Sequence, residues 1–353
     1  MGLWVSLKGA APGGHDVQVR VAALATLVLL AGCASTSAPT SGPSLAPAPE
    51  PATRFVAFGD AGTGEADQAK VAAAMHAVCL RFGCDFAVEL GDNIYDAGAS
   101  SDRDPQFESK FEVPYRNFTM PFWVVLGNHD NSQDPAGTSA SAGQGTWYQS
   151  GDNEVAYAKR TDRSSDKWHM PARFYAFNAS QADFLALDTN TLVFYDYAVP
   201  PELAVPVQKQ TQWIDGAVKA ATHPWRFALG HHGYRSNGPH GNAGDYDGRA
   251  PVPGLSGDYA KQFFEAHVCK AVDVFLAGHD HDLEWLPGDS ACPMAQVISG
   301  GGGAGTYALA GTDANLFQKQ TLGFWWLEAT AHKLTAVAYD EAGQQLFNTT
   351  LTK

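Results

Sequence analysis

The sequence has no apolar run of membrane-spanning length. Its longest, Val21–Leu30, has ten residues, where a spanning helix needs about 20. There is no Lys/Arg-rich stretch either. Lys and Arg number 23 against 37 Asp and Glu, for a net charge of −14, which argues against binding along a nucleic-acid backbone. No repeat recurs along the chain, which excludes solenoids and propellers. Cysteine is scarce, five in 353 residues. What remains is ordinary for a globular protein: 45% hydrophobic and 11% aromatic residues, enough for one large domain or two small ones. The 12 histidines stand out, because several sit in short glycine-flanked clusters.

Lys8 and Arg20 precede the run Val21–Leu30, which fits the apolar core of a signal peptide. It ends in Leu30-Ala31-Gly32-Cys33, which resembles the bacterial lipobox. Residues 1–32 then read as a lipoprotein signal peptide, with Cys33 lipidated as the first mature residue. The plainer alternative is an ordinary signal peptide with a chance cysteine. Residues 33–53 are Ser/Ala/Pro-rich and aperiodic, a semi-extended tether, and a catalytic domain is expected over 54–353. Ala34 is not the Asp that commonly retains lipoproteins at the inner membrane. The expected location is therefore the outer membrane, facing the periplasm or the surface. Four cysteines are left, and an even number in an exported protein favours disulfides. Cys79–Cys84 with Cys269–Cys292 is one of three pairings, and buried free thiols are the alternative.

From Arg54 onward, short apolar runs each end in a polar or glycine-rich turn: RFVAFGD, DFAVELGD, FWVVLGNH, DFLALDTN, RFALGHH, DVFLAGHDH and QVISGGGG. Such runs read as buried strands. Helical spacing over Ala66–Arg81 and Val207–Ala221 separates some of them, which indicates an α/β fold. After about residue 294 the pattern turns to strands alone, expected as a second sheet packed on the first. Asn131–Asp166 and Ser236–Gly257 read as long loops over the site. Asp60 and Asp92 are 32 residues apart, and Asp92 and Asn128 are 36. Each interval suits one βαβ unit of about 30 residues or more. Loops at the carboxyl ends of such strands line a common crevice, so distant residues can converge there.

Five segments sit at those strand ends: Gly59-Asp60-Ala61-Gly62, Gly91-Asp92-Asn93-Ile94-Tyr95, Gly127-Asn128-His129-Asp130, Ala228-Leu229-Gly230-His231 and Gly278-His279-Asp280-His281. Singly, each is most simply a turn or a solvated loop. Together they supply carboxylates, an amide, imidazoles and a phenol. Carboxylate and phenolate suit a hard, highly charged ion, and imidazole suits first-row metals. Gly300–Gly303 lacks the Lys-Ser/Thr of a phosphate loop and reads as a tight backbone crossing.

In this order and spacing the segments resemble the metallophosphoesterase superfamily, and Tyr95 narrows the resemblance to the small, tartrate-resistant purple acid phosphatases. WHMPARFYAF at 168–177 and FLALDTNTL at 184–192 are weaker echoes. The resemblance implies a sandwich of two mixed β-sheets flanked by helices, α-β-β-α. It implies a dinuclear centre of Fe(III) plus a divalent Fe, Zn or Mn ion. Asp60, Tyr95 and His281 would hold the ferric ion, Asn128, His231 and His279 the divalent one, and Asp92 would bridge them through its two oxygens. His129 would face the substrate without binding metal, and His240 would also contact it. Metal-bound hydroxide would then attack a phosphate monoester, on small phosphorylated substrates, in a monomer that touches the membrane only through Cys33. A phosphodiesterase or nucleotidase on the same scaffold is the alternative, and a non-catalytic surface lipoprotein a further one. The family usually carries an aromatic or basic residue and then Pro after the His231 equivalent. Here His232-Gly233-Tyr234 follows. His232 is expected at the rim or just behind the ligands rather than as an extra ligand, and Asp130, Asp188 and His169 as structural residues.

Overall fold

The computed structural model describes residues 50–132, 150–195, 201–250, 252 and 255–353, with backbone only at 201–204. The signal peptide, Cys33 and most of the tether lie outside the described residues. None of the described helices is long and apolar enough to cross a membrane.

Among the described residues, fourteen strands form two seven-stranded sheets. In chain order they are β1 (Thr53–Phe58), β2 (Phe86–Glu89), β3 (Phe122–Val124), β4 (Trp168–His169), β5 (Tyr175–Ala179), β6 (Ala182–Ala186), β7 (Trp225–Leu229), β8 (Val274–Ala277), β9 (Leu283–Leu286), β10 (Ala295–Ser299), β11 (Phe317–Lys319), β12 (Gly323–Ala329), β13 (Lys333–Asp340) and β14 (Gln345–Thr352). The first sheet runs β14-β13-β12-β1-β2-β3-β4 and the second β11-β9-β10-β8-β7-β6-β5. Within the first, β1 to β4 are parallel. Within the second, β6, β7, β8 and β10 are parallel. Both sheets are mixed, as the α-β-β-α sandwich requires. Each expected strand lies at its run, and the first of them begins at Thr53.

The two sheets pack through aromatic rings. Phe55 of β1 meets Phe184 of β6 and Phe227 of β7 edge-on, at 5.3 and 5.4 Å between centroids. Strands buried on both faces are continuously apolar rather than alternating, and Phe55–Phe58 of β1, Phe86–Val88 of β2 and the whole of β8 follow that rule. Helix α1 (Ala66–Phe82) buries Val71, Met75 and Val78 at the three-to-four spacing of an amphipathic helix. Short helices α2 (Asn128–Asn131), α3 (Ser150–Ala158) and α4 (Thr189–Val193) stand near strand ends, and α5 (Pro201–Ala220) and α6 (Asp258–Phe263) follow. Residues of α4, α5 and α6 share a separate apolar cluster with the second sheet.

Two expectations need correction. The late strands are not a second sheet. β12 pairs antiparallel with β1, so β12, β13 and β14 widen the first sheet, while β10 joins the second beside β8. Asn131–Asp166 is not all loop either. Its described part contains α3, where Glu154, Val155 and Tyr157 turn inward. The Gly300–Gly303 segment is a crossing as expected. Gly59 N–H donates to Ser299 O at 2.7 Å and Gly302 N–H to Gly59 O at 2.9 Å, tying the end of β10 to that of β1. Both disulfides are present in the sequence-local pairing, Cys79–Cys84 and Cys269–Cys292.

Candidate metal centre

The carboxyl ends of β1, β2 and β3 in one sheet meet those of β7 and β8 in the other, and the seven expected side chains converge there. The Tyr95 hydroxyl lies 3.0 Å from Asp60 Oδ1, 2.8 Å from Asp92 Oδ2 and 3.2 Å from His281 Nε2. His231 Nε2 lies 3.0 Å from Asn128 Oδ1, 3.4 Å from Asp92 Oδ2 and 3.2 Å from His279 Nδ1. Asp60, Asp92 and His231 are each within 2% of complete burial.

Polar atoms crowd together here: the Tyr95 phenol faces two carboxylates and an imidazole, and His231 Nε2 faces an amide oxygen, a carboxylate and a second imidazole. Only histidines make ion-pair contacts with Asp60 and Asp92 among the described residues. Buried acceptors that face one another with too few donors are costly. The same donor set, with carboxylate, phenol and imidazole mixed, suits cations.

A single oxygen of Asp92, Oδ2, faces both the Tyr95 group and the His231 group. Oδ1 instead accepts the backbone N–H of His129 at 2.9 Å.

The backbone is shaped for this convergence. Asp60, Asp92 and His279 adopt left-handed conformations, with φ of 58°, 53° and 70°. Each costs about 1–3 kcal/mol, and such strain clusters at functional sites. Two glycines make the approach feasible. A Cβ on Gly127 would sit 2.1 Å from Asp92 Oδ1, and one on Gly278 would sit 2.4 Å from Asp60 Oδ2.

Surrounding bonds aim the rings. His231 Nδ1 donates to Leu90 O at 2.9 Å, leaving Nε2 for the cluster; a hydrogen bond of this kind fixes the tautomer of a ligating imidazole. His129 Nδ1 donates to Asp96 O at 2.7 Å, and its ring packs 4.4 Å from that of Tyr95. Asp130 accepts the N–H groups of Asn93, Ile94 and Gly127 at 2.7–3.0 Å and so fastens the β2 loop to the β3 loop. Asp188 accepts from Arg173 and caps α4, and His169 packs on Trp123. His232 lies behind the expected ligands, one of the two places foreseen for it. It is buried, bonded to Thr189 and 4.4 Å from the His279 ring. His240 stacks on His279 at 4.0 Å. Tyr307 was not foreseen. It stacks on His281 at 3.9 Å, and a lone Tyr after a glycine-rich stretch gives no sequence signal.

Charge in the metal-free site follows. Burial opposes the charged form of His231, but Asp92 and Asp60 outweigh it and push the imidazolium up to about 10. Burial alone would raise Asp92, but His231 and His129 hold it well below the carboxylate range. Burial and the neighbouring imidazoles keep His279 neutral. Burial, then Asp60 and Asp92, push the Tyr95 phenol well above its usual range. At pH 7 a proton on His231 therefore stands where a cation would. A cation needs the neutral ring, so acid favours the proton and base the cation. Calorimetric titration of zinc into metal-free protein at pH 7, in buffers of different ionisation enthalpy, is expected to show net proton release. Binding without release would contradict this charge state.

The profile of the calcineurin-like phosphoesterases matches residues 53–283. The chain is 26% identical to purple acid phosphatase 4 of Arabidopsis thaliana over 317 residues, 85% of this chain and 84% of that one. It is 27% identical to tartrate-resistant acid phosphatase type 5 of Homo sapiens over 350 residues, 88% and 94% of the two chains. Among solved structures, a purple acid phosphatase from yellow lupin (Lupinus luteus) seeds shares the fold with a TM-score of 0.61 and 17% identity, over 86% of this chain and 54% of that one.

Proposed function

Because this chain belongs to the calcineurin-like phosphoesterase family and is a phosphoric ester hydrolase, we propose that it cleaves phosphate monoesters at a dinuclear centre, as an acid phosphatase. The observation that carries the proposal is Asp92 Oδ2, which lies within 3.4 Å of both donor groups. Asp60, Tyr95 and His281 would hold a ferric ion, and Asn128, His231 and His279 a divalent Fe, Zn or Mn ion, with Asp92 shared. When bound, the two ions supply the positive charge that a phosphoryl group needs and acidify water, so that a nucleophile exists below neutral pH.

The chain's own residues do the rest. Two carboxylates and a phenolate offset only part of the charge of a ferric and a divalent ion, which leaves the pocket locally positive in an acidic protein. His129, tied through Nδ1 to Asp96 O, presents Nε2 to the pocket that it lines with Asp92, Asn128 and His240. With a second proton on Nε2 it donates to the leaving oxygen as the P–O bond breaks. Tyr307 and His240 line the same pocket.

Faster turnover of 4-nitrophenyl phosphate than of bis(4-nitrophenyl) phosphate supports the monoester reading; the reverse order selects the phosphodiesterase alternative. Tyr95 bound to ferric iron is expected to give a visible phenolate-to-iron band, lost in Tyr95→Phe. A colourless, fully active protein holding only zinc or manganese would reject the iron assignment. The same proposal places the enzyme in the cell envelope, anchored by lipid on Cys33. Membrane recovery of wild type with release of Cys33→Ser supports the anchor, and equal recovery of both contradicts it.

A further inference from the structure

Four non-glycine residues among those described have left-handed backbones. Three belong to the candidate metal cluster. The fourth, Asp247, has φ of 56° and lies in the loop between β7 and α6. Strain of about 1–3 kcal/mol persists only where the surroundings over-determine it, and here both ends of one residue grip a single neighbour. The Asp247 N–H donates to His240 O at 2.9 Å, and its Oδ1 accepts from His240 Nδ1 at 2.7 Å. His240 is held from a third side, since its own N–H donates to Asp280 Oδ1 at 2.9 Å. The ring then lies on His279, 5.6 Å from Tyr307, and lines a cavity of about 170 Å³ that also includes Asp92, Asn128 and His129.

We propose that Asp247 is a positioning residue that fixes the His240 ring so that Nε2 faces the phosphoryl group. The identity of that ligand rests on the function proposed above. With Nδ1 taken by Asp247, Nε2 is the ring nitrogen left for a ligand. A carboxylate holding an imidazole in one orientation and tautomer is the arrangement by which catalytic histidines are aimed elsewhere. Arg249 also approaches Asp247, at 3.7 Å to its second oxygen, but it is 44% exposed, and an ion pair so open contributes little. The strained turn therefore serves His240 rather than Arg249.

A double-mutant cycle decides the matter, read as the dissociation constant for inorganic phosphate measured by calorimetry on the metal-loaded protein. Asp247→Gly removes the carboxylate while accepting the left-handed backbone. It is expected to weaken phosphate binding about tenfold, and His240→Ala by at least as much. The double variant should be no weaker than His240→Ala alone, because Asp247 acts through that ring. Asp247→Asn, which keeps a hydrogen-bond acceptor and tolerates the turn, should lose less; it replaces the glycine variant in the cycle if that variant does not fold. Wild-type affinity in Asp247→Gly, or a double variant that loses the product of the two single effects, overturns the proposal. A protein that binds phosphate but cleaves no ester overturns the hydrolytic reading instead, and the cycle still judges Asp247.

Discussion

Asp92→Ala is expected to purify with no more than one metal ion per chain and to lose activity by about 10⁴-fold or more. Asp92 contacts both donor groups through Oδ2. Its removal also releases the His129 N–H from Oδ1 and leaves His231 without the charge that orders the pair. Two-ion catalysis of phosphoryl transfer depends on both ions holding the attacking and leaving oxygens in line, so a site with one ion retains little. Elemental analysis and steady-state turnover on the same preparation check this. Two ions with near-normal turnover would remove Asp92 from its proposed place.

His129→Ala is expected to behave differently. The variant should keep both ions and fall about 10²–10⁴-fold in kcat, the range for a lost general acid. His129 touches the cluster through its backbone N–H, which any residue supplies, while its ring is held by Asp96 O and lies 4.0 Å from Asp92 Oδ2. The loss should grow with the basicity of the leaving group, being smallest for 4-nitrophenyl phosphate and largest for alkyl phosphates. A uniform loss across esters, or metal-free protein, would contradict the assignment.

Much of this was legible because the chemistry sits at strand ends. Asp60, Asp92 and Asn128 each follow a buried apolar run by one turn, and the turn glycines are required by close approach, as at Gly127 and Gly278. The strands that escaped notice are short or lack a turn signal. β4 has two residues, and β9 begins two residues after His281 with Glu284 buried inside it. The pairing of β12 with β1 could not be read either, since apolar patterning marks a strand as buried without naming its neighbour. Residues that act through stacking or through another side chain left no pattern. Tyr307, Thr189 and Asp247 are single residues in loops or at a helix start, and their partners lie 26, 43 and 7 positions away.

The shared-acid arrangement can be seen outright by anomalous diffraction from crystals of the metal-loaded protein. Two peaks about 3.5–4 Å apart, with Asp92 Oδ2 between them and Tyr95 beside one, are the expected result. A single peak, or ions bound away from Asp92, would contradict it.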